Sequence, residues 1–94
     1  MGIINYIDMK INFERIEIFT DMTKTKCVVQ DVKKDFADVI YQFGRGIESH
    51  ALALKIFNSK GETEYDDREC NLIRQLSELC SPSFMDAMKK VLNE

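Results

Sequence analysis

The chain has 94 residues, 45% of them apolar and 31% charged, with a formal net charge of −3. That is the size and balance of one globular domain with one modest core, and a single Pro with no Ser/Gly-rich run excludes a linker or low-complexity segment. The mild acidity, with Lys24/Lys26 and Lys89/Lys90 as the densest basic groups, disfavours nucleic acid, and no segment approaches the roughly 20 apolar residues of a membrane span.

At the N-terminus, Ile3, Ile4, Tyr6 and Ile7 are broken by Asn5 and closed by Asp8. This falls short of the roughly 7–15 apolar residues of a signal peptide and lacks its basic start. Residues 1–8 read as a flexible leader or a short strand, and Met9 offers a second start site. Residues 9–94 then make a single small α+β domain. Residues 10–19, KINFERIEIF, are rich in β-branched and aromatic side chains and predict a strand. The alternation slips, with Ile11 and Phe13 on one parity and Ile16 and Ile18 on the other, so a bulge or bend is expected near Glu14–Arg15. Residues 20–24 are turn material, and 25–30 predict a second strand that closes an antiparallel hairpin.

Asp31 is placed to cap a helix in which Val32, Phe36, Val39, Ile40 and Phe43 share a face, with Gly44 and Gly46 suited to ending it. Residues 47–58, IESHALALKIFN, admit two readings. Leu52, Leu54 and Ile56 alternate as in a strand; Ile47, Ala51, Leu54 and Ile56–Phe57 fit a helix, which the alanines favour. Next come Glu62, Glu64, Asp66, Asp67 and Glu69, with Cys70 directly behind. Glu62 and Glu64 alternate with Thr63 and Tyr65, as in a short extended piece. Asp66 and Glu69 have the spacing of a capping box, and acids suit the positive end of a helix. Leu72, Ile73, Leu76 and Leu79 supply the stripe behind them, with Cys70 at its edge. The last helix has Ser81 as cap, Pro82 in the first turn, Phe84, Met85, Met88, Val91 and Leu92 facing inward, and Lys89 and Lys90 near its negative end.

None of this composes a site: no catalytic, cofactor-binding or metal-ligating residue is assigned, and the chain is not read as an enzyme. With Gly61 at the obligatory glycine of a calcium loop, apolar Ile56 falls where the first acidic ligand belongs. His50 is the single histidine and has no partner evident in sequence. Cys27, Cys70 and Cys80 form no C-x-x-C or zinc spacing and are odd in number, so buried, reduced cytoplasmic thiols are expected. GRG at 44–46 is not a phosphate-binding loop, and Met85 and Met88 read as core.

From about residue 9 onward the order of features resembles short proteins encoded in prophages and other mobile elements of gut bacteria. MKINFERIEIFTD, DVKKDFADVIYQ, LALKIFNSKGETEY with its acid-capped helix, and CSPSF carry the resemblance. It implies a context and no activity, and it favours helix over 47–58. The expected fold is α+β: an N-terminal β-hairpin followed by three or four short helices, with a short third strand near residues 62–65. The expected function is non-enzymatic protein–protein interaction or assembly in a phage-like element. Its partner is another protein or a second copy, docked through the outer strand edge of residues 10–30, which residues 3–7 are also able to cover. The alternative is a small nucleic-acid-binding regulator, with helices at 66–80 and 82–93 as a helix-turn-helix-like pair.

Overall fold

The structure is a computed structural model that describes residues 9–93. The leader or strand read over residues 1–8 lies outside them, as does Glu94. The fold is α+β, with β1 (Met9–Ile11), β2 (Ile16–Phe19), β3 (Cys27–Gln30), α1 (Lys33–Phe43), α2 (Gly46–Phe57), β4 (Thr63–Tyr65), α3 (Asp67–Ser77) and α4 (Pro82–Val91) in order. β2 and β3 form the antiparallel hairpin, with Glu17 opposite Val29 and Ile18 opposite Val28.

The strand expected over 10–19 is broken in two, and its halves belong to different sheets. β1 pairs antiparallel with β4, Met9 opposite Tyr65, and only β2 enters the hairpin. The break falls at the parity slip. The Glu14 N–H donates to Asn12 Oδ1 at 3.0 Å and the Arg15 N–H to the Asn12 carbonyl at 3.1 Å. This turn lets Ile11, Phe13 and Ile16 all face inward although they do not share a strand parity. Glu14 then pins the corner, accepting from the Gly61 N–H at 2.8 Å and from Lys33 Nζ at 3.1 Å. Gly61 stands at φ +61°, a left-handed conformation natural to glycine.

Around Phe13 the core is aromatic. Its ring stacks on Phe36 and meets Tyr65 edge-on, each at 5.6 Å between centroids, and Phe36 continues to Phe84 at 5.1 Å. Ile40, Leu52, Ile56, Ile73 and Met88 complete it from all four helices. Burying each such side chain contributes about 1.5–3 kcal/mol.

Residues 46–57 are helix, and the strand alternative fails because Leu52 and Ile56 share a buried face with Ser49 and Ala53 at helical spacing. The face proposed for this helix is corrected, however. Ile47, Ala51, Leu54 and Phe57 are exposed. Gly44 ends α1 in an extended conformation. A Cβ there would lie 2.6 Å from the Ile40 carbonyl oxygen and 2.7 Å from Ser49 Cβ, so its smallness lets α2 fold back tightly on α1. Two smaller corrections follow from packing. The N-cap of α1 is Val32, because Asp31 Oδ1 reaches only the Lys33 N–H, at 3.1 Å. Phe43 and Leu79 face solvent at helix ends. Cys70 is buried in the core cluster, as its place beside the Leu72, Ile73 and Leu76 stripe predicts.

Candidate functional site

The acidic run is a helix start. The Asp66 side chain accepts from the Glu69 N–H at 2.9 Å, and Glu69 Oε1 accepts from the Asp66 N–H at 3.0 Å, so the reciprocal box is complete. Lys55 of α2 donates to both Glu69 carboxylate oxygens, at 2.9 and 3.1 Å, which ties the cap to the neighbouring helix. Glu62, Glu64 and Asp67 are exposed. Among the described residues no group of three or more His, Cys, Asp or Glu side chains gathers closely enough to hold a metal ion.

The thiols divide. Burial pushes Cys70 and Cys80 up from the ordinary thiol range, which suppresses the thiolate. Cys27 is exposed on β3, against the expectation of burial, as are the other three residues of that strand. It lies far in sequence and on a different element from His50, whose ring packs at 6.0 Å from Tyr41 instead. Lys90 is held by Glu17 at 3.0 Å, and Asp86 sits 3.7 Å from Lys24. Lys89 and Asn93 are exposed.

What the described surface offers is apolar area in two places. On the hairpin, Val28 and Val29 are both exposed. Neighbouring strand residues point to opposite sides, so among the described residues β3 exposes an apolar side chain on each face. Its outer edge has no strand neighbour among the described residues. Meanwhile, β2 is flanked by α4, with the Lys24 and Lys90 ammonium groups 5.9 and 5.5 Å from the centre of the Phe19 ring. The hairpin tip is set by Asp21, which accepts from Thr25 Oγ1 at 2.7 Å and Thr23 Oγ1 at 2.9 Å.

The second place is the outer side of α1–α2. There a shallow groove runs between the helices, lined by Ala37, Tyr41, His50, Ala53, Leu54 and Phe57, with Asp38 at its rim. Ile47, His50, Leu54 and Phe57 recur three or four residues apart, which places them in one stripe along α2. Ile47 is 86% exposed, Tyr41 70%, Leu54 56% and Phe57 47%. These four side chains expose on the order of 400–500 Å² together, within the range of the largest apolar patch on a monomer, where function is common. This surface is not among the sequence-based expectations, which use Ile47 and Leu54 only as evidence of helical spacing. The available signal was that α2 carries apolar residues on more than one face, which is the pattern of a helix covered on both sides.

No family model matches the chain, and no curated protein and no solved structure is found to be similar to it.

Proposed function

We propose that this chain is a non-enzymatic protein-interaction module, working as an assembly factor of a phage-like mobile element in the cytoplasm. One observation carries the reading: Tyr41, Leu54 and Phe57 line an open groove between α1 and α2 and Ile47 stands exposed on the same helix, while the other side of the helix pair is well packed. Leaving such a face uncovered forfeits free energy that a partner's surface recovers. The open β3 edge adds a second place for contact, by strand addition. Unpaired Cys27, Cys70 and Cys80 suit a reducing compartment. The mobile-element context rests on the resemblance of the LALKIFNSKGETEY segment.

The test is the size of the native assembly. In a cell that expresses it, the chain is expected to migrate in gel filtration well above its 10.9 kDa. The double variant Ile47→Glu/Leu54→Glu is expected to migrate as the lone chain with an unchanged melting temperature, since both positions are exposed. If the natural chain already migrates alone, the interaction reading fails.

A further inference from the structure

We infer that the partner on the α1–α2 face inserts an arginine side chain into the groove, with its guanidinium beside Asp38 and the aromatic rings. The inference rests on reading that face as a docking surface, and it goes further by naming the chemistry of the occupant. The observation behind it is a lone carboxylate. The lining consists of alanine, leucine, aromatic rings and His50 apart from Asp38, and among the described residues no lysine or arginine joins them. The Asp38 carboxylate makes no hydrogen bond or ion pair with a described residue, Lys34 four residues earlier on α1 included. A partner that covers the groove takes this carboxylate out of water. An apolar or acidic surface would leave it unpaired, at a cost that offsets the gain from the apolar contacts. A cation compensates it.

The walls favour arginine over lysine and over a free ligand. The cavity is about 180 Å³, below the roughly 300–1,000 Å³ of small-molecule pockets, which leaves room for one side chain. Tyr41 stands three residues after Asp38 on α1, so its ring and the carboxylate share one rim. The Tyr41 ring meets His50 at 6.0 Å, and Phe57 lines the same groove. A planar guanidinium stacks on aromatic faces and presents paired donors to a carboxylate, whereas an ammonium holds its water more strongly. Apolar neighbours of that arginine on the partner then cover Leu54. The helix pair is rigid by construction: Gly44 seats α2 on α1, and Lys55 ties α2 to the α3 cap. Little ordering is therefore required when the partner arrives.

The probe is N-acetyl-arginine methylamide, titrated into the purified chain and followed by NMR through the ring resonances of Tyr41, His50 and Phe57. Saturable shifts are expected in all three rings. The citrulline analogue, which keeps the shape and lacks the charge, and the glutamate analogue are expected to leave them unmoved. Asp38→Asn is expected to weaken arginine binding by about threefold or more, the scale of one exposed ion pair. Its circular dichroism and thermal melting are expected to match the natural chain, because Asp38 is exposed. In the native assembly, Asp38→Arg is expected to release the lone chain. Absent shifts in the three rings, equal binding of the citrulline analogue, or arginine binding indifferent to Asp38→Asn each overturn the inference. An assembly that tolerates Asp38→Arg yet dissociates with Ile47→Glu/Leu54→Glu excludes the arginine and leaves the interaction reading standing. A natural chain that migrates alone removes both.

Discussion

Val28 and Val29 leave the hairpin on opposite faces of one strand, whereas Tyr41, Ile47, Leu54 and Phe57 converge on one face of a helix pair. The difference follows from the two backbone periods. A strand sends successive side chains to opposite sides, so a short uncovered strand spreads its apolar groups and offers mainly its edge N–H and C=O groups. A helix gathers side chains spaced three or four apart into a stripe, so it offers side-chain area. The hairpin can accept another strand, while the helix pair can seat another helix. The supports differ as well. The hairpin contributes Ile16 to the core and packs Ile18 against it, and adds two surface ion pairs to α4, Lys90–Glu17 and Lys24–Asp86, which are individually weak. The helix pair is one wall of the core.

The largest expected effect tests whether α2 really has an inside and an outside. Leu52→Ala removes a side chain that is 1% exposed and is expected to cost about 2–5 kcal/mol in denaturant unfolding. Leu54→Ala, two residues on, is expected to stay within about 0.5 kcal/mol of the natural chain at concentrations where it is monomeric. Comparable losses at both positions would place Leu54 in the core and erase the exposed face.

The cap that holds α2 against α3 comes next. Asp66→Ala is expected to cost about 1 kcal/mol, and Lys55 then loses part of the alignment of Glu69. Calcium, magnesium and zinc are expected to leave the melting temperature unchanged. A rise of several degrees with any of them would make the acidic run a metal site and turn attention from both apolar regions.

The two helix starts were legible because a cap is written within a few residues: Ser81-Pro82 and Asp66 with Glu69 both act as their spacing predicts. The short strand near 62–65 was legible from the alternation of Glu62 and Glu64 with Thr63 and Tyr65. Its partner was not, because β1 lies at the other end of the chain and no local pattern records that pairing. For the same reason the parity slip at Glu14–Arg15 revealed a bend but not that the two halves join different sheets. The outer face of α2 was illegible on other grounds. Leu52 and Leu54 are chemically identical, and only the placement of α1 decides which is covered.

A smaller effect separates the two regions by pH. Glu14 is held below the usual carboxylate range first by the Gly61 N–H and then by Lys33. Its folded-state pKa is therefore lower than in the unfolded chain, so its contribution is complete above the ordinary value of 4.5 and is lost as pH falls through the lower folded value. Glu14 sits at the corner joining β1 to β2. Amide exchange in Ile16–Phe19 is expected to accelerate below that ordinary value before exchange in Gly46–Phe57 does. Glu14→Gln is expected to flatten the difference. Simultaneous loosening of both segments would show that the hairpin and the helix pair open as one unit.

The last prediction leaves stability untouched and asks which region is covered in the native assembly. Cys27 lies exposed on β3, while burial holds the thiolates of Cys70 and Cys80 scarce, Cys70 being buried and Cys80 half-buried. In the isolated chain a thiol reagent is expected to label Cys27 first and the other two only slowly. Rapid labelling of Cys70 would mean that its wall of the core opens readily. In the assembly, docking through the helix pair leaves β3 in solvent, so Cys27 is expected to react at its isolated rate. Strand addition at the β3 edge would instead place a backbone alongside Cys27 and slow its labelling. Protection of Cys27 in an assembly that still forms with Leu54→Glu would move the docking surface from the helix pair to the hairpin.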